Sequence, residues 1–233
     1  LAPLRAAIEQ DSQNVSAHID LAEALLLGRD YGEAEERLAQ VLQWAPPKNT
    51  RAHARAHALL GRVYSDLGDL ERAVMALHQA SQLDSTLAAP NYFLGNILVR
   101  QQHLEEAVLR YERALALEPR YLQAYFNLAG LHSRQTDYGL ALDVLSRGLQ
   151  YLPGQVELLF QLGRVHFVQA RYEQALAVLD KVLRIEPGRA EAHEMIAQIH
   201  LNDRDTARAQ EALRAGLGHS AENAVLEARL GAL

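Results

Sequence analysis

The sequence of 233 residues predicts an all-α chain of stacked antiparallel helix pairs, and three residue series predict it together. Leu60-Gly61, Leu94-Gly95, Leu128-Ala129, Leu162-Gly163 and Ile196-Ala197 recur at a constant spacing of 34 residues. Ala73, Ala107, Ala141, Ala175 and Ala209 keep the same spacing. So do Pro119, Pro153 and Pro187, with Ser85 and Ala221 in the equivalent places. A fixed period of this size is the mark of one supersecondary unit repeated along the chain. No stretch alternates apolar and polar residues as a half-buried strand would.

Each period reads as two helices. In 122–155, Tyr125, Leu128, Ala129 and His132 follow i, i+3, i+4, i+7, a mainly apolar helical face. Gln135-Thr136-Asp137 interrupts it, and Ala141, Leu145, Gly148 and Leu149 restart it on a second helix. Pro153-Gly154 ends that helix, because proline cannot continue one and restricts the residue before it.

A 34-residue helix–turn–helix of this kind resembles the tetratricopeptide repeat family. With unit positions numbered from 1 to 34, that family favours a large residue at 4, Leu at 7 and a small residue at 8. It favours an aromatic at 11, an aromatic or Leu at 17 and 24, Ala at 20 and 27, and Pro at 32. Residues 1–14 fit the second helix of a preceding unit, with Leu4 and Ala7 at positions 24 and 27. Unit 15–48 supplies Leu21, Ala22, Tyr31, Ala34, Leu38 and Pro46. Five extra residues follow, Asn49 to His53. Asn49 or Thr50 can cap a lengthened helix there, since either side chain accepts from orphan backbone N–H groups. Unit 54–87 supplies Leu60, Gly61, Tyr64, Leu70, Ala73, Leu77 and Ala80. Unit 88–121 supplies Leu94, Gly95, Leu98, Leu104, Ala107, Tyr111, Ala114 and Pro119. Unit 122–155 is followed by 156–189, with Leu162, Gly163, Tyr172, Ala175, Leu179 and Pro187. Unit 190–223 is the most degenerate, with Thr206 at position 17 and Gly216 at 27. Residues 224–233 fit the start of one more, with Leu230-Gly231 at positions 7 and 8. One helix pair cannot bury its apolar face alone, so neighbours must stack. The resemblance implies that the stack is a right-handed superhelical solenoid. The chain starts with Leu and begins and ends inside repeats, so the expectation is a trimmed piece whose uncapped ends can self-associate.

In the first helix of a unit, positions 4, 7, 8 and 11 share one arc, and positions 2, 5, 6, 9, 12 and 13 the opposite one. In the resembled family the opposite arc lines a concave groove where partners dock. All four Phe of the chain, Phe93, Phe126, Phe160 and Phe167, fall on it. Tyr92, Phe126 and Phe160 make a ladder at position 5. Arg62, Arg100, Arg134 and Arg164 stand beside them, with the amides Asn96, Asn127, Gln161 and Gln198. Aromatics and Arg dominate interface energetics. Amides can hold an extended peptide backbone, and Arg can pair with acidic groups. The candidate partner-binding residues are therefore Arg62, Tyr92, Asn96, Arg100, Phe126, Asn127, Arg134, Phe160, Gln161, Arg164 and Gln198. A second reading stays open, because position 5 is often aromatic in the family and packs on the neighbouring first helix. A carboxylate clamp of Lys and Asn, found in one subset of the family, is not expected. The two lysines, Lys48 and Lys181, lie off the arc. An Asn ladder at position 6, as in O-linked N-acetylglucosamine transferases, is matched only by Asn127, with Gln161 next.

The remaining chemistry is mostly excluded. Net charge is −6, and a nucleic-acid binder usually shows a basic excess. There is no cysteine, hence no disulfide, thiol catalysis or Cys-ligated zinc. The longest apolar runs, such as 175–179, fall far short of a membrane span, and no signal peptide is visible. The expectation is a soluble protein, of the cytoplasm or, as the alternative, of the periplasm. His132, His166 and His200 recur at position 11 and read as packing residues. His53 and His57 have i, i+4 spacing without the glutamate of a metalloprotease helix and read as a surface pair. No nucleophile elbow, phosphate loop or dinucleotide fingerprint occurs. The expected function is a non-catalytic scaffold that docks a peptide or protein segment, with no metal and no cofactor. The alternatives are a targeting, docking or dimerisation arm of a larger enzyme (glycosyltransferase or hydroxylase type), or an envelope assembly factor.

Overall fold

The computed structural model describes residues 1–46, 48–219 and 224–232, and among these it holds fourteen α-helices and no strand. Ala221 of the proline series, with the rest of 220–223, lies outside the described residues, as do Pro47 and Leu233. The chain divides into two compact units, Leu1–Ala124 and Tyr125–Leu233. The first holds α1 (Ala2–Gln10), α2 (Val15–Leu27), α3 (Tyr31–Trp44), α4 (Thr50–Leu67), α5 (Leu70–Leu83), α6 (Ala89–Arg100) and α7 (Leu104–Leu117). Helix α8 (Leu122–Arg134) starts at its end. The second continues with α9 (Tyr138–Tyr151), α10 (Val156–Val168), α11 (Tyr172–Ile185), α12 (Ala190–Asn202), α13 (Thr206–His219) and α14 (Ala224–Gly231).

In the first unit each helix from α2 to α6 packs on the next, and α2, α4 and α6 also touch one another in a row. The second unit repeats this from α9 to α14, with α10, α12 and α14 in the row. The cores are what the period places inward. Leu21, Leu38, Val41 and Val63 are fully buried in one cluster of the first unit, with Leu4 and Ile8 of α1 packed against it. Leu179, Val182 and Ile199 play that part in the second.

Position 8 sets how close the helices of a pair come. A Cβ built on Gly61 would meet Leu77 Cγ at 2.5 Å, and one on Gly95 would meet Tyr111 Cε1 at 2.7 Å. At Gly163 the neighbour is Leu179 Cδ2 at 3.2 Å. In each case the crowding side chain stands at position 24 of the same unit.

The turn inside each pair has one geometry. Gly68, Gln102, Thr136, Ala170 and Arg204 all have positive φ, between 56° and 88°, and they follow one another at the repeat spacing. Arg29 (φ 60°) is the earlier member, displaced by the five-residue insertion. At Gly68 the backbone N–H donates to Ser65 O at 3.1 Å, and the next N–H, of Asp69, donates to Tyr64 O at 2.8 Å. The same two bonds recur at the other five turns. This is the Schellman closure of a helix, which satisfies carbonyls that the helix end leaves orphaned. The following residue caps the second helix: Asp30, Asp69 and Asp205 accept from the N–H groups of Glu33, Arg72 and Arg208. The insertion lengthens α4 to 18 residues, and Asn49 is its cap, accepting from Ala52 N–H at 3.3 Å.

Two expectations follow from this packing. Gly95→Ala should destabilise the chain by about 1–3 kcal/mol, the usual cost of overfilling a packed site. Tyr111 has little freedom to retreat, since its hydroxyl donates to Asn96 Oδ1 at 2.7 Å. Urea unfolding measures the change, and an unaltered midpoint would mean the ring yields. Thr136→Gly should instead gain a few tenths to about 1 kcal/mol. A non-glycine residue in the left-handed region costs roughly 1–2 kcal/mol, offset in part by the freedom of Gly in the unfolded chain. A lower Tm for that variant would remove the strain argument.

Candidate functional site

The outward arc of the first helices is gathered into clefts within each unit. In the first unit, Arg62, Tyr92, Asn96 and Arg100 line one cleft of about 490 Å³. Leu27, Ser65, Asp66, Phe93, Tyr121 and Gln123 complete it. Tyr92 is one ring of an aromatic cluster, with centroids 5.0 Å from Tyr121, 5.2 Å from Phe93 and 6.0 Å from the buried Tyr111. Asn96 accepts the Tyr111 hydroxyl, so its amide is oriented from the core. Arg100 reaches back to α4, where Nη1 donates to Ser65 O at 2.6 Å and to Ser65 Oγ at 3.3 Å. A guanidinium there lies on the negative end of the helix dipole. Arg62 Nε sits 3.7 Å from Asp66 Oδ2. Burial, then the neighbouring Tyr92 and Glu118, push the Tyr121 phenol well above its usual range, so it stays a neutral donor.

In the second unit, Arg134, Gln161 and Arg164 line a cleft of about 310 Å³ with Gly130, Ser133, Tyr138, Val165 and Val168. Arg164 Nη1 donates to Gln161 Oε1 at 3.2 Å. A Cβ on Gly130 would meet nothing within 4 Å, so this helix position borders open space. Phe160, Arg164 and Gln198 line an adjoining cleft of about 390 Å³, with Phe167, Glu191, Glu194, Met195 and Arg229. Arg164 belongs to both. Phe160 packs against the core, and the Arg189 guanidinium lies 4.5 Å from its ring centroid. Phe126 is 38% exposed, more open than the other rings of the ladder. It lines none of these clefts, and neither does the half-buried Asn127.

Tyr121 and Tyr138 are cleft residues that the arc did not point to. Tyr121 is the last residue of its unit, ahead of α8, and Tyr138 opens α9. Their signal was a large aromatic beside a helix start. Arg229 stands at position 6 of the final partial unit, on the arc itself, and bonds Glu194 Oε1 at 2.9 Å.

Among the described residues, His18, His132 and His193 are buried. His193 Nε2 lies 2.8 Å from Pro187 O, and His132 is buried in α8. Among the described residues no group of three or more His, Cys, Asp or Glu is arranged to hold a metal ion. No helix among them is long and apolar enough to cross a membrane.

The helix pairs, their spacing and the small residue at position 8 agree with a comparison of sequences. A tetratricopeptide repeat family model matches residues 1–63 and 133–199. The chain belongs to the tetratricopeptide repeat family. A TPR repeat model matches 95–136, and another tetratricopeptide repeat model matches 54–86. No curated protein matches the sequence. In structure the TPR array is similar to Pseudomonas aeruginosa PilF, with TM-score 0.72 and 18% identity over 97% of this chain and 100% of that one. It is also similar to the C-terminal part of a TPR repeat-containing protein from Cytophaga hutchinsonii, with TM-score 0.68 and 15% identity over 98% and 92%. YrrB, a TPR protein with an unusual peptide-binding site, matches with TM-score 0.58 and 20% identity over 99% and 98%. At these identities the likeness shows the fold. As a TPR array the chain is a protein-interaction scaffold, a non-catalytic module.

The TPR packing makes stability sensitive to acid at position 11. Burial, and then Arg171, hold the His166 ring below its ordinary value of 6.5. Its Nδ1 is buried with no hydrogen-bond partner. The unfolded chain therefore takes up a proton that the folded His166 resists. This contribution leaves stability intact above about pH 6.5 and lowers it as pH falls below that value. His57 is shifted the same way, by burial and then by His53. Melting curves between about pH 7 and pH 5 should show Tm falling, with a shallower slope for His166→Gln. An identical slope in that variant would assign the acid sensitivity elsewhere.

Proposed function

We propose that this TPR array docks a peptide or protein segment along the outward arc of its first helices. Tyr92, Phe126 and Phe160 are the apolar anchors, and Arg62, Arg100 and Arg164 supply positive charge. Asn96, Asn127, Gln161 and Gln198 offer amides to the backbone of the bound segment, and Arg134 borders the same face. The reading takes the array as units 15–48, 54–87, 88–121, 122–155, 156–189 and 190–223, flanked by partial repeats. The observation that carries it is the grouping of aromatic rings with arginines on this arc: Tyr92 with Arg62 and Arg100 beside one cleft, and Phe160 with Arg164 beside another. The similarity to YrrB, itself a TPR protein with a peptide-binding site, supports the same reading. The first-unit cleft is pre-organised by its own bonds, from Arg100 to Ser65 and from Tyr111 to Asn96, which lowers the ordering cost of a bound segment.

The test starts with affinity capture of a partner and its identification by mass spectrometry. Binding of that purified partner is then measured with Phe126→Ala and Arg164→Ala. Each should weaken it by about tenfold or more, as truncation of an aromatic or Arg anchor does. Helicity by circular dichroism should be preserved, since neither side chain is buried. Affinity per folded molecule that equals the unmodified chain's in both variants would overturn the proposal.

A further inference from the structure

The second compact unit carries two cations facing one cleft with no acid on its walls. Arg134 in α8 and Arg164 in α10 border it, and the other lining residues are Gly, Ser, Tyr, Gln and Val. Among the described residues Arg134 makes no ion pair, and Arg164 has only its bond to the neutral Gln161. The carboxylates that share the adjoining cleft with Arg164 are already engaged. Glu191 lies 3.9 Å from Arg189, and Glu194 lies 2.9 Å from Arg229. Two guanidinium groups beside a common space repel each other, and an anion between them turns that repulsion into attraction. Gly130, whose side of the helix is open, leaves room for it.

Arg164 also borders the adjoining cleft, where Phe160, Phe167 and Met195 pack against the core and form an apolar floor. Arg164 thus stands in the wall of both clefts, beside a cationic partner in one and three apolar side chains in the other. Building on the docking reading above, we infer that the second unit recognises a peptide segment in which an Asp or Glu side chain stands close to a bulky apolar one. The carboxylate sits between Arg134 and Arg164, and the apolar side chain lies on Phe160, Phe167 and Met195. A polyanion such as nucleic acid fits poorly, because Glu191 and Glu194 rim the same surface.

The experiment pans a random display library of peptides of about a dozen residues, long enough to lie extended in such a groove, against the full chain. The Arg134→Gln/Arg164→Gln double variant is panned in parallel. Both arginines are exposed, and the variant's melting curve should match that of the unmodified chain. Peptides selected by the unmodified chain should be enriched in Asp or Glu close to Phe, Leu, Trp or Met. The double variant should lose the acidic enrichment and keep the apolar one. A selected peptide, synthesised with a fluorescent label, should bind the double variant about tenfold more weakly. Its affinity for the unmodified chain should fall with added salt. Selected peptides without acidic enrichment, or enrichment that survives in the double variant, would overturn the acidic specificity while leaving docking in place. Recovery of no binding peptide by either protein would count against docking and specificity together.

Discussion

A helix pair in this chain closes because position 8 of its first helix yields the space that position 24 of its second helix fills. Leu77 lies over Gly61 and Tyr111 over Gly95 at distances that real Cβ atoms do not show, and Leu179 lies tightly over Gly163. Elsewhere alanine holds position 8, as at Ala22, Ala129 and Ala197, all buried. Close approach of two helices leaves each pair with an apolar flank it cannot cover, and the next pair covers it. That arrangement leaves part of the outward arc free, although Ile19 and Leu26 on it are buried and Phe160 packs against the core. Phe126 and Arg134 are among the arc side chains that carry no packing duty and face solvent.

The fold was legible because its signal is long-range and redundant: three residue series with one period across most of the chain. The turns were not. Gly68 is the single glycine among the six left-handed residues in the turns inside helix pairs, and Arg29, Gln102, Thr136, Ala170 and Arg204 carry no mark of that conformation. Hydrogen-bond closure of the helix ends imposes it from outside the residue. The division into two compact units at Ala124 was equally silent, since the period runs through it unchanged. At the candidate site, helical spacing identified the solvent arc and so placed Arg62, Tyr92, Asn96 and Arg100 beside one cleft. It missed Tyr121, which stands outside any helix. It also missed that Arg100 binds the carbonyl of Ser65 and that Arg189 covers Phe160. Those contacts depend on the reach of long side chains, to a neighbouring repeat for Arg100 and across its own unit for Arg189, which spacing does not encode.

The arginines also divide by task. In the first unit, Arg100 is tied to a helix terminus and Arg62 has Asp66 nearby, so one of the two cationic charges in the cleft is offset and the other is held in place. In the second, Arg134 and Arg164 keep theirs. The overall charge of −6 conceals this contrast. Electrostatic attraction at such a surface depends on which charges are already neutralised more than on their number.

Helix α4, at 18 residues against 13 for α2, breaks the sameness of the array. Five added residues extend a helix by about 7.5 Å. The extra turn is integrated, with Ala52 buried and Asn49 capping it. Chains of near-equivalent units face an ambiguity in which a helix can dock one unit out of place, within a molecule or between two molecules. Unequal element lengths resolve such ambiguity. Between α3 and α5 the long helix finds the neighbours that cover it. The insertion thus marks one helix pair as different from its neighbours in an otherwise uniform series.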